Sequence, residues 1–426
     1  MALLEHRLAL YIMASIPFLL ILLSIAIVPL IFPSFWEKNT NKLRIVTLLA
    51  LPVAILLMLV NRHELFSAIE EYISFILLLS ALFIISGGVY VSADLRATPK
   101  VNTLFLLIGA VCANLIGTTG ASMLLIRPLL RTNSERKHTK HIITFFIFVV
   151  SNIGGALTPL GDPPLFLGYL RGVPFTWTLS LFPIWLTCIA VLLSLFYLWD
   201  LRCYKNESLV EINLDSQRTQ PFQMKGLLNV VYLLIIVVVV FFQIPSPFRE
   251  ITMLATIILS LVGPGKEIRR TNGFSFHPIM EVAILFIGIF VTMKPLMLVL
   301  EAKGAEFGIV RPWQYFWLVG GLSSFLDNAP TYVTFFSMAE SVTRTIGAGG
   351  HAMIAGVRSD LLAALSCGAV FMGANTYIGN GPNFMIKSIA EAQGYKVPQF
   401  FEYMLYAAGV LIPIFAAITL IFFMGS

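Results

Sequence analysis

The chain is 426 residues long, 58% hydrophobic and only 12% charged, with a mean hydropathy of +0.87. That composition excludes a soluble globular protein and belongs to an integral membrane protein. A net charge of +6 would suggest nucleic acid in a soluble chain, but here the basic residues sit in short loops between apolar runs, which points to membrane orientation and to no nucleic-acid partner.

A helix takes about 20 residues to cross the hydrocarbon. Apolar runs of that order recur at 9–32, 42–60, 72–91, 178–198, 227–244, 250–263, 278–300 and 402–424. The first is longer than a signal-peptide core and has no small-residue cleavage site before FPSFWEK, so it is expected to persist as a helix. The longest polar interruption, 199–226, is too short for a domain and reads as a cytoplasmic linker between residues 1–198 and 227–426. Cys112, Cys188, Cys203 and Cys367 lack metal-ligand spacing and read as packing residues.

The two parts repeat each other. ALTPLGDPPLF at 156–166 aligns with ANTYIGNGPNF at 374–384 through Ala156/Ala374, Thr158/Thr376, Gly161/Gly379, Pro164/Pro382 and Phe166/Phe384. A slightly smaller offset aligns Glu71 with Glu281 and Gly117-Thr118-Thr119-Gly120 with Asp327-Asn328-Ala329-Pro330. Each repeat reads as three plain helices, a re-entrant hairpin with a polar tip (101–130 and 312–340), a crossing made of two half-helices (141–170 and 358–391), and a last helix. Five crossings is odd, so the second copy enters from the opposite face. The fold expected is an all-α membrane protein of two inverted five-crossing repeats, each with a re-entrant hairpin and a broken transmembrane helix. On this topology 17 lysines and arginines lie on one side and 8 on the other. The richer side should be cytoplasmic, with both termini outside the inner (plasma) membrane.

Irregular backbone at membrane depth is tolerated only where it is buried in protein or lines a cavity. Four interruptions at matched places therefore imply a central site, where half-helix N-termini and unwound carbonyls can hold ions. Gly161, Gly379 and Gly381 are expected to permit the turns, and Pro163, Pro164 and Pro382 to open the second half-helices. A carboxylate at this depth is functional by default, which singles out Asp327, with Asn328 beside it. Asp327 stands where the first repeat has only Gly117, so it is expected to be the titrating group. Asp162 is a candidate ligand or a helix cap. Thr118, Thr119, Asn152, Thr158, Asn375, Thr376, Asn380 and Asn383 are ligands or partners for broken backbone. Glu71 and Glu281 are transport acids or helix-dipole partners, and Lys294 either snorkels or pairs with a core acid. No phosphate-binding loop appears and HELFSAIEE is not a metalloprotease motif, so neither ATP drive, nor enzyme chemistry, nor a resident cofactor is expected.

The stretches SNIGGALTPLGDPPLFLGYLRGVPF (151–175), SSFLDNAPTYVTFF (323–336) and GANTYIGNGPNF (373–384) resemble the NhaD-type sodium/proton antiporters of the ion transporter superfamily, which also holds citrate, dicarboxylate and arsenite carriers. The resemblance spans nearly the whole chain. It implies a secondary transporter, usually a homodimer in the bilayer, that exchanges Na⁺ for H⁺ by alternating access. Ion ligands are implied at Asp162, Asn152, Thr158, Asp327, Asn328, Asn375, Thr376 and Asn380, with Asp162 and Asp327 on sodium. The dicarboxylate carriers repeat Ser-Asn-Thr in each half. This chain has Ser151-Asn152-Ile153 and Ala374-Asn375-Thr376 instead. A sodium-coupled organic-anion or oxyanion carrier on the same fold is the alternative.

Overall fold

The computed structural model describes residues 2–208, 215, 219–263 and 265–425. Part of the expected linker, 209–214 and 216–218, lies outside the described residues. The rest is predominantly helical, and among the described residues eight helical segments are long and apolar enough to cross a membrane, one of which, Pro99–Thr132, folds back on itself. Their outer faces carry exposed leucine and phenylalanine, such as Leu48, Leu59, Phe401 and Leu405. In a water-soluble protein so much exposed apolar surface would aggregate, whereas here it matches lipid. The runs at 227–244 and 250–263 are shorter as helices than expected, Leu227–Phe241 and Phe248–Val262. Two small antiparallel ribbons, which the all-helical expectation omitted, sit in loops: Tyr90–Asp94 with Gln220–Lys225, and Met353–Ile354 with Val357–Arg358.

The segment Pro99–Thr132 is a hairpin. Asn102 and Asn133 exchange two side-chain hydrogen bonds, 2.9 and 2.8 Å. At about 1.5 Å per residue a straight helix would hold them some 45 Å apart. The reversal falls at Gly117, whose φ of 78° and ψ of 155° are open to glycine and strained for other residues. The helices Pro312–Ser323 and Asn328–Ile346 form the second hairpin, for the rings of Tyr315 and Phe335, one on each arm, are 6.3 Å apart.

Both broken helices are also present. Lys140–Val149 ends in a 3-10 turn, Ile153–Leu157, and the chain restarts at Pro163–Leu170. Ser359–Met372 ends in the turn Gly373–Asn375 and restarts at Gly381–Ala392. A proline within the first two positions of each restarting helix needs no N–H partner there.

Contacts sort the loops into two ends. The ribbon joins the loop after residue 87 to the linker. Arg136 pairs with Asp200 at 2.6 Å, Lys140 with Glu402 at 2.7 Å, and Lys42 with Glu281 at 2.7 Å. Asn272 donates to the carbonyls of Gly87 and Val89. The six basic-rich loops thus meet at one end. At the other, Arg171 pairs with Glu71 at 3.0 Å and Ser74 donates to Glu250 at 2.7 Å.

Candidate transport site

Each hairpin tip is bound to the break of its own half. In the first, the Thr158 hydroxyl donates to the Asn114 carbonyl, Asn114 Nδ2 donates to the Gly154 carbonyl at 2.7 Å, and the Thr118 N–H donates to the Gly161 carbonyl at 2.8 Å. In the second, the Thr376 hydroxyl donates to the Ser324 carbonyl and the Ser324 hydroxyl to the Met372 carbonyl. Ser324 and Met372 are the counterparts of Asn114 and Gly154 in the two offsets of the repeat.

The glycines serve closeness rather than turning. Gly161, Gly379 and Gly381 do not have left-handed backbone, contrary to the role expected of them. A Cβ on Gly161 would stand 2.0 Å from the Gly155 carbonyl oxygen, and one on Gly379 2.6 Å from that of Gly373. The two strands of each break therefore touch backbone to backbone, where any side chain is excluded. Gly381 faces open space and carries no such demand.

At the meeting point of both tips and both breaks lies Asp162, 2% exposed. It occupies the N-cap position of Pro163–Leu170, but its side chain makes no capping bond. Its Oδ1 accepts from the Thr118 hydroxyl at 2.9 Å and from Asn380 Nδ2 at 3.1 Å, and its Oδ2 accepts from Asn328 Nδ2 at 2.6 Å. One donor thus comes from each hairpin tip and one from the opposite break. All three are neutral, and among the described residues no cationic side chain pairs with this carboxylate. Asn380 also donates to Asn152 Oδ1 at 3.2 Å, while Asn152 Nδ2 donates to Asn383 Oδ1 at 2.7 Å. Asn383 in turn donates to the carbonyls of Gly373 and Thr376.

The other expected residues take the following places. Asp327 stands at the second tip and caps its own helix, accepting from the Ala329 N–H at 3.0 Å. Asn375 donates to the Ser324 hydroxyl at 2.9 Å. Thr158 and Thr376 hold backbone together, as does Asn383. Thr119, next to the first tip, is half-buried, with no side-chain bond to the cluster among the described residues. Glu281 is not in the cluster; it neutralises the buried Lys42. Lys294 does not snorkel. It is 3% exposed and lies 2.8 Å from Glu71, which Arg171 also pairs. Asn114, Ser324 and the Ser122–Ser151 hydroxyl pair at 2.8 Å were missed. Extending the 210-residue offset three places ahead of each tip would have exposed Asn114 and Ser324 as counterparts. Among the described residues no three His, Cys, Asp and Glu side chains form a metal-binding group.

A chain with several long apolar helices and an interrupted, polar centre is a multi-pass membrane protein built as a transporter. A family model described as "Putative citrate transport" matches residues 7–423, and the chain belongs to that family. Among curated proteins none matches.

Proposed function

We propose that the chain is a secondary active transporter that works by alternating access and exchanges sodium for protons, with Asp162 as the shared cation and proton site. The observation that carries this reading is a buried carboxylate, at the junction of four backbone interruptions, with only neutral donors. A lone charge in such a place is expensive, and either H⁺ or Na⁺ relieves it. Only one can do so at a time, so the two ions compete, which is the minimal requirement for exchange. The surrounding amides suit both states, since rotating Asn328 or Asn380 turns a donor into an oxygen ligand. Asp327 would add charge nearby. The matched tip-to-break contacts support reading residues 1–198 and 227–426 as inverted repeats with re-entrant hairpins. The gathering of basic loops at one end supports a cytoplasmic assignment for that end of a plasma-membrane protein. We take the working unit to be a homodimer.

A second reading, sodium-coupled carriage of citrate or a related organic anion, is favoured by the family description. It requires Na⁺ to neutralise Asp162 and Asp327 before an anion can approach. Proteoliposomes separate the two. A sodium gradient that moves protons without citrate supports exchange; citrate uptake that needs sodium, with no proton movement in its absence, supports the second reading; neither flux would sink both.

A further inference from the structure

Between the helices Leu227–Phe241 and Phe248–Val262, at the end where the basic loops gather, lies a cavity of about 320 Å³. Asn229, Ser260 and Gly265 form its polar wall. Arg269 stands behind that wall. Its Nη2 donates to the Ser260 carbonyl at 2.8 Å and to the Ser260 hydroxyl at 2.5 Å, and that hydroxyl donates to Asn229 Oδ1 at 2.5 Å. A Cβ on Gly265 would sit 3.0 Å from Arg269 Nη1, so the glycine lies directly against the guanidinium.

Arg269 is 8% exposed, and its buried Nε has no hydrogen-bond partner. No carboxylate pairs with it among the described residues, and burial alone pulls its basicity down with no acid beside it to offset the effect. Among the described residues the other well-buried lysine and arginine side chains, Lys42, Arg136 and Lys294, each have a carboxylate within 2.8 Å. An unpaired buried charge costs several kcal/mol unless a counter-charge is supplied from outside the chain. Much of the remaining lining is apolar: Leu227, Leu228 and Leu259 line the cavity and are each close to half exposed or more.

We infer that this cavity binds a phosphate-bearing anion, the headgroup of an acidic membrane lipid, with Arg269 as its counter-charge and the leucines as the platform for an acyl chain. A pocket between apolar helices, with an arginine directly behind its polar wall at the end where the basic loops gather, has the chemistry for such a headgroup. The inference is independent of what the central site carries.

The test uses the full-length protein, stripped of lipid in detergent. Phosphatidylglycerol in mixed micelles is expected to raise Tm by about 4 °C at saturation, and phosphatidylcholine to leave it unchanged. The shift should vanish in Arg269→Gln and survive in Arg270→Gln, which alters an exposed neighbour. Leu228→Trp, which fills the cavity from an exposed position, should abolish it as well and covers the case in which Arg269→Gln does not fold. A shift of equal size with sodium phosphate alone supports the anion site and reassigns its source to soluble phosphate. No shift in the unaltered protein with either probe, or an undiminished shift in both Arg269→Gln and Leu228→Trp, overturns the inference.

Discussion

Asn380 donates a 3.1 Å hydrogen bond to Asp162, although the two stand at the same place in different halves, each the N-cap of its own restarting helix. Their backbones are alike, with φ and ψ of −143° and 145° against −151° and 141°. The two breaks therefore meet at their capping residues, one charged and one neutral. Exchanging the pair tests what that asymmetry does. Asp162→Asn is expected to lower coupled cation flux about 100-fold, the scale of removing a principal ligand-shell group. The double variant Asp162→Asn with Asn380→Asp returns a carboxylate to the same cluster and should recover a measurable part of the flux. Proteoliposome uptake at matched protein levels reads both, and full activity in the single variant would remove Asp162 from the site.

Asp327 offers a contrast. Its side chain serves the Ala329 N–H, a task that asparagine performs equally well. Asp327→Asn should therefore leave folding intact and cost less flux than Asp162→Asn, whereas Asp327→Ala should also destabilise the protein by about 1 kcal/mol. If Asp327→Asn proved the more damaging of the two carboxamide changes, the titrating group would lie at the second tip.

The glycine contacts order three alanine substitutions. Gly161→Ala drives a methyl into the Gly155 carbonyl and Gly379→Ala into the Gly373 carbonyl, so each should cost about 3 kcal/mol or more. Gly381→Ala meets nothing within 4 Å and should stay within about 0.5 kcal/mol of the parent. Thermal unfolding monitored by gel filtration in detergent is sufficient to rank them.

Lys294 and Glu71 pair with each other outside the Asp162 cluster, and their pairing is structural on the present geometry. Removing one partner of a buried pair strands the other, at a cost of about 3 kcal/mol. Glu71→Gln should be worse than Lys294→Met, because Glu71 also answers Arg171 while Lys294→Met leaves that second pair in place. A double-mutant cycle on Tm checks the coupling, and additive losses would show that the two side chains do not interact.

What was legible in the sequence was whatever leaves a local or repeated signature. The breaks and hairpins announced themselves because glycine, proline and polar residues interrupt apolar runs at matched positions, and Gly117, Asp162 and Asn380 fall where the repeat places them. Pairings between distant segments leave no such trace. Nothing in the order of residues joins Lys42 to Glu281 or Arg136 to Asp200, and the purpose of Gly161 is visible only beside Gly155. Depth and the place opposite Gly117 single out Asp327 in the sequence, whereas the donors around Asp162 come from segments far apart in the chain. Depth makes a carboxylate costly, but its neighbours decide what it does, and Asp162 alone gathers donors from both halves.

The ribbon of Tyr90–Asp94 with Gln220–Lys225 has a consequence for assembly. One strand directly precedes the first hairpin, and the other directly precedes the first helix of the second half. They act as a clasp: main-chain hydrogen bonds join a strand before the first hairpin to a strand that follows the connecting peptide, so the parts of the chain on its two sides are held by more than their covalent link. Two polypeptides divided anywhere between residues 209 and 218, synthesised separately in one cell, should find each other and assemble into a working whole.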